Sequence, residues 1–249
     1  MSGSQDKSIS LWNPVKGLHL KTYTGPHNHE VNDIAIHSDN NCFASVGGDR
    51  LVFLWDVQSG KVLRKFQGHT QAVNCVAFNP QYNVLLSGSL DATVRIWDLA
   101  GSERRGAQRI QARDIQVLEE QKDSVSQIIA TEDQILVACL DGFLRVYDIR
   151  MGMVTSDDMG GISRIHDIVV APIIAMDISE DGNYVVCSCL DSKIRLFERE
   201  TGDIIATYEK EHVVKDYKAS VKFAKDNKHL LTTSESHLIA VYGIASVRA

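Results

Sequence analysis

The stretch GHTQAVNCVAFNPQYNVLLSGSLDATVRIWD, residues 68–98, decides the fold. It opens on Gly68-His69, closes on Trp97-Asp98, and separates the apolar runs AVNCVAF, VLLSGS and TVRIWD with Gly, Asn and Asp turn residues. Runs this short, rich in Val, Ile and Leu and bounded by turn signals, are strands. With KVLRKF just upstream the unit has four of them, and no helix-length apolar period lies between.

The frame recurs along the chain. Trp12, Trp55 and Trp97 each end a run that begins with an aspartate six residues earlier: DKSISLW, DRLVFLW and DATVRIW. DGFLRVY, ending at Tyr147, and DSKIRLF, ending at Phe197, keep it with another aromatic, and SHLIAVY, ending at Tyr242, keeps its outline. Successive aromatics stand 43, 42, 50, 50 and 45 residues apart. A period of this size marks a repeat architecture, in which each unit buries its faces against its neighbours.

Inside the unit the polar residues repeat as well. His69 stands 22 residues before Asp91 and His27 stands 22 before Asp49, with Ser87 and Ser45 each four before the aspartate. Gly-His, Ser, Asp and Trp-Asp at these spacings resemble the WD-repeat β-propeller family, over essentially the whole chain. The resemblance implies an all-β fold of four-stranded antiparallel blades. It implies one domain over residues 1–249 with repeats ending near 13, 56, 98, 148, 198 and 243, five full and one partial at the N-terminus. It also implies hydrogen-bonded tetrads of His27, Ser45, Asp49 and Trp55, and of His69, Ser87, Asp91 and Trp97. Ser, His and Asp in contact resemble a nucleophile relay, but the aspartate closes a tight turn and the indole N–H occupies the hydroxyl, so the expected role is structural.

Three departures shape the expectation. Ser2 to Asn13 supply a turn and one strand, so the first repeat lacks its first two strands, and Ala249 follows Tyr242 by seven residues. Propellers of the resembled family usually close with seven blades, which implies a shortened ring here, with a ring completed by a partner or a non-standard closure as the alternatives, and strand edges that need covering. The units ending at Tyr147 and Phe197 are longer and lack Gly-His; their polar extra lengths, 101–114 and 153–167, read as outer loops. The first carries Arg104, Arg105, Arg109 and Arg113 and reads as a solvated loop.

Composition narrows the function. Lys and Arg number 26 against 32 Asp and Glu, a net charge of −6, so the basic stripe of a nucleic-acid binder is not expected. No run of 18 apolar residues and no signal-peptide pattern occurs, which predicts a soluble, cytoplasmic protein without a membrane partner. Cys42, Cys75, Cys139, Cys187 and Cys189 form no CxxC pair and lie mostly in apolar runs, as core thiols of a reducing compartment do. Cys187 and Cys189 lack a second ligand pair, and His29, His166, His212 and His237 are scattered, so no metal is expected. GxSxG, GxxxxGK, HExxH and GxGxxG are absent; no catalytic residue, cofactor or small-molecule substrate is expected.

What remains is a protein-binding surface. The residue before each turn aspartate, Gln5, Gly48, Leu90, Leu140 or Leu190, points outward on the face of the Gly-His loops, and three leucines at one position make an apolar rim. His29, Glu30, Gln71 and Ala72 border the same face. SGSQDKSISLWNP (2–14), VLRKFQGH (62–69), YDIRMG (147–152), LDS (190–192) and EHVVKDYK (211–218) are similar to the family of mitogen-activated protein kinase organizers. That resemblance implies a scaffold for extracellular-signal-regulated kinase components, and a second association with splicing complexes, through which alone a nuclear share is expected. Tyr147-Asp148-Ile149-Arg150 is similar to the box through which some WD-repeat proteins serve cullin ubiquitin ligases as substrate receptors, with Arg150 presented to the adaptor; this is the alternative.

Overall fold

The computed structural model describes residues 1–79, 84–99, 114–132, 134–148, 171–199, 201–209, 219–233 and 239–244. All regular structure among them is β. The chain forms two compact units, Met1–Glu132 and Asp133–Ala249.

In the first unit β1 (Ser2–Gly3), β2 (Ile9–Asn13) and β3 (Leu18–Tyr23) make a three-stranded antiparallel sheet. β4 (Val31–Ile36), β5 (Cys42–Gly47), β6 (Leu51–Asp56) and β7 (Val62–Gln67) pair in that order, as do β8 (Val73–Asn79), β9 (Val84–Ser89), β10 (Val94–Asp98) and β11 (Asp114–Leu118). β12 (Val125–Ala130) lies beside β8. In the second unit β13 (Gln134–Cys139) pairs with β14 (Leu144–Asp148). β15 (Ile173–Ile178), β16 (Tyr184–Cys189), β17 (Ile194–Glu198) and β18 (Ile204–Tyr208) form a further four-stranded sheet, and β19 (Ser220–Phe223), β20 (His229–Thr233) and β21 (Ile239–Gly243) one of three. Repeated antiparallel four-stranded sheets are the blades of a WD β-propeller.

The sequence repeat and the sheet are offset by one strand. KVLRKF, which opens the unit ending at Trp97, becomes β7 and pairs with β6 of the preceding unit. A tight turn after Trp55-Asp56, closed by Gly60 N–H to Asp56 O at 3.0 Å, folds β7 straight back on β6. A turn this tight pairs the two strands it joins, and residues 68–72 carry the chain to the next sheet. The first sheet shows the same offset: LHLKTY follows ISLWN as its outer strand, so it has three strands where the repeat frame leaves only two.

Burial follows strand position. β5 (CFASVG) and β9 (VLLSGS) are buried on both faces because a sheet covers each side, and they read as continuous apolar runs. β7 (VLRKFQ) lies outermost and buries mainly Phe66. Ala44, Val46, Leu54 and Phe66 of one sheet pack on Val73, Val76, Leu85 and Trp97 of the next. Ile9 and Tyr23 likewise pack with Phe43, Phe53 and Trp55, and Val186 and Leu196 with Val221 and Leu230. The register slips at the same aromatic in four sheets, between Leu11/Trp12, Leu54/Trp55, Ile96/Trp97 and Leu196/Phe197. A bulge there adds twist to the outer strand.

Candidate partner-binding surface

The face bearing the Gly-His loops is held by the tetrads. Trp97 Nε1 donates to Ser87 Oγ at 2.9 Å, His69 Nε2 is 2.8 Å from the same oxygen, and His69 Nδ1 is 3.0 Å from Asp91 Oδ2. In the preceding sheet the distances are 2.8, 2.7 and 2.8 Å through Trp55, Ser45, His27 and Asp49. The donor inventory sets the direction: indole N–H to hydroxyl, hydroxyl O–H to Nε2, Nδ1–H to carboxylate. Each aspartate also accepts backbone N–H groups, Asn28 and Leu51 on Asp49, Thr70 and Thr93 on Asp91. Burial opposes ionisation of both carboxyls, but the imidazole and amide donors outweigh it and hold them below the ordinary carboxylate range, Asp91 far below. Ser45, Ser87, Trp55 and Trp97 are fully buried, so the relay reaches no solvent.

In the two longer units the tetrad lapses as a set, whereas the first sheet keeps part of it, Trp12 Nε1 donating to Ser2 Oγ at 2.9 Å. Tyr147 and Phe197 replace the tryptophan, and Val137 and Cys187 stand where Ser87 does, so neither indole donor nor hydroxyl is left over. Arginine takes the turn aspartate instead. Arg145 clasps Asp141 at 2.8 and 3.2 Å, and Arg195 clasps Asp191 at 2.5 and 3.2 Å, both guanidinium groups buried. These two arginines escaped the sequence reading. Their signal was there: Asp-x-x-x-Arg occurs in both units that lack Gly-His. Arg95 holds the same place, but the tetrad has its aspartate and Arg95 pairs with Asp114 of β11.

The rim position is fixed by a repeated backbone bond. The residue before the turn aspartate donates to the residue before the inner strand: Gly48 to Glu30 at 3.1 Å, Leu90 to Ala72 at 3.0 Å, Leu190 to Pro172 at 2.9 Å. Loop and turn are thereby one surface, so His29 and Glu30 flank Gly48, and Gln71 and Ala72 flank Leu90. Leu90 is 39 % exposed, with His29, Glu30 and Gln71 exposed beside the two turns of the first unit. Leu140 and Leu190, in the second unit, are half-buried, and Gln5 is exposed. A Cβ at Gly48 would come within 2.6 Å of Glu30 Oε1 and 3.0 Å of His29 Cβ, so those side chains occupy the space a leucine would need.

Other expectations fall elsewhere. Tyr147 is buried in β14 opposite Ile135, a core position. Ile149, Arg150, His166, His212, His237, residues 101–113 and the 153–167 loop lie outside the described residues. Cys75, Cys139, Cys187 and Cys189 are buried, Cys42 is half-buried, and none of the five forms a disulfide. Burial pushes the Cys75 and Cys187 thiols far up, as for inert core residues.

Residues 17–56, 60–98 and 166–198 match the family described as WD domain, G-beta repeat. The chain is 39 % identical to WD repeat domain-containing protein 83 of Rattus norvegicus and of Homo sapiens, over 92 % of this chain and 67 % of theirs. It is 27 % identical to the WD repeat domain-containing protein 83 homolog of Dictyostelium discoideum, over 99 % of this chain and 78 % of that one.

Proposed function

The chain belongs to the WD-repeat proteins, in the group of WD repeat domain-containing protein 83, and from that premise we propose how it works as a protein-interaction scaffold. Its partners are components of the extracellular-signal-regulated kinase cascade, with a second association in pre-mRNA splicing complexes, in cytoplasm and nucleus. The contact residues are Leu90 with His29, Glu30 and Gln71 in the first unit, and Leu140 and Leu190 in the second. One observation carries this reading: the backbone at Gly48, Leu90 and Leu190 is anchored to the neighbouring loop, while Leu90 keeps its side chain turned to solvent. An anchored backbone presents an apolar side chain at little entropic cost on binding. The reading is non-catalytic. It is supported by the tetrads, whose Ser, His and Asp groups are spent on one another inside the blade.

The test is capture of the C-terminally tagged chain from native lysate beside a variant with Leu90, Leu140 and Leu190 changed to Asp. Kinase-cascade or splicing proteins are expected on the wild type and absent from the variant, whose melting is within about 0.5 kcal/mol of wild type because half-exposed sites tolerate charge. Partners retained by the folded variant would remove the rim from the function. A cullin adaptor captured by the wild type and lost on Arg150→Ala would replace the scaffold with the substrate-receptor alternative.

A further inference from the structure

Three turns of the molecule have one construction. Between β4 and β5, His37 N–H donates to Cys42 O at 3.0 Å and Asn40 N–H to His37 O at 2.9 Å. Ser179 and Tyr184 repeat the first bond at 2.9 Å, as do Ala224 and His229, and Gly182 and Asn227 repeat the second. Each turn has an aspartate at its third position that accepts the N–H two residues on: Asp39 from Asn41 at 2.8 Å, Asp181 from Asn183 at 3.2 Å, Asp226 from Lys228 at 2.9 Å. The turn therefore needs its aspartate and forms equally well with Ser and Tyr, or Ala and His, at its two ends. In the first turn those ends are His37 and Cys42; His37 Nδ1 accepts from Asp39 N–H at 3.4 Å, but the turn forms without that bond where Ala224 stands in its place.

His37 Nδ1, a carboxylate oxygen of Asp39 and Cys42 Sγ all lie within 4.8 Å of one another. Two of them already touch, His37 Nδ1 and Asp39 Oδ1 at 2.8 Å. The His37 ring is braced edge-on by Phe78, centroids 5.1 Å apart. Bond lengths of about 2.0–2.1 Å to nitrogen or oxygen and about 2.3 Å to sulfur place tetrahedral zinc ligands roughly 3.3–3.7 Å apart. Side-chain rotations of about an ångström reach that spacing from the present one, with the backbone ladder intact. The three atoms also line a cavity of about 370 Å³ whose other walls are Leu54, Leu63, Arg64 and Leu99. Arg64 is tied back by bonds to Asp98 O at 3.0 Å and Leu99 O at 2.8 Å, so its charge sits on the cavity wall.

We propose that His37, Asp39 and Cys42 bind one zinc-class divalent cation, with the fourth coordination position open to the cavity. Thiolate with imidazole selects zinc over magnesium or calcium, which take oxygen ligands. Three protein ligands and an open position leave room for water or an anionic group, which Arg64 favours. Binding needs His37 Nδ1 as a free lone pair, with the ring proton held on Nε2, and Cys42 as thiolate, its proton released to solvent.

The full-length chain supplies the test. Zn²⁺ is titrated against a chelating dye, and Co²⁺ is added as a spectroscopic probe; one ion per chain and a thiolate-to-cobalt charge-transfer band are expected. Two variants borrow residues the same chain uses in equivalent places, which secures folding. They are His37→Ser, as at Ser179, and Cys42→Val, since Val84 opposes Asp98 as Cys42 opposes Asp56. Each is expected to weaken Zn²⁺ binding on the order of 100-fold, at least the loss seen when a supporting residue of a metal site is removed, with unchanged melting. On the wild type alone, Zn²⁺ is expected to slow alkylation of Cys42. No competition with the dye, a cobalt spectrum without the thiolate band, variants that bind like wild type, or an unprotected Cys42 would each overturn the site.

Discussion

Ser87 is the point on which Trp97, His69 and, through His69, Asp91 converge, and its hydroxyl accepts from the indole while it donates to the imidazole. A residue in that position must be small, buried and amphoteric, which leaves serine or threonine. Asp91 at the other end closes the turn by accepting from Thr70 and Thr93. Replacing it with alanine strands an imidazole N–H and two backbone donors, so Asp91→Ala is expected to cost about 1–3 kcal/mol in urea unfolding. The acid limb of stability should change too. Because the folded carboxyl titrates below its ordinary value of 3.8, its stabilisation is complete above that value and is lost as pH falls beneath it. Melting temperature should therefore drop less steeply below about pH 4 in Asp91→Ala than in wild type; equal slopes would mean that Asp91 carries no linkage.

At the scale of the element, the tetrad behaves as one replaceable unit. The sheet of β15 to β18 packs Cys187 and Phe197 where the earlier sheet packs Ser87 and Trp97, and it closes its turn with Asp191 and Arg195 instead. Ser87→Cys alone leaves the indole N–H buried and unpaired, whereas Ser87→Cys with Trp97→Phe removes donor and acceptor together. The double variant is expected to be about 1 kcal/mol more stable than the sum of the single losses, a coupling that a double-mutant cycle measures. Additive losses would count against the shared hydrogen bond. A second element-scale device joins sheets: the carboxamide of Asn32 in β4 donates to Val73 O, and that of Asn74 in β8 to Val125 O, both at 2.9 Å. The repeat carries this clasp 42 residues on, in step with the tryptophans.

At the scale of the whole molecule, what counts is how closely one sheet lies on the next. In the first unit a Cβ at Gly88 would stand 2.5 Å from Val125 Cγ1 and 2.7 Å from Cys75 Sγ, so only a hydrogen fits where β9 passes β8 and β12. Gly88→Ala is expected to cost about 1–3 kcal/mol by overpacking, read in thermal unfolding, and an unchanged midpoint would mean that the sheets yield there. Much of this was legible in the sequence. Aromatic spacing and alternating runs determined the all-β repeat and its period, because those features depend on residue type and local distance along the chain, and the family resemblance they carry supplied the membership of both tetrads. Tertiary structure decided the rest. The strand offset follows from the tight turn that lays β7 on β6, and the two aspartate–arginine clasps follow from which side chains meet across a turn once histidine is gone. The degree to which Leu90, Leu140 and Leu190 are exposed, and the approach of His37, Asp39 and Cys42, depend on how side chains fill space between elements. Periodicity along a chain carries no record of that filling, since it arises only when separate strands have been brought into contact.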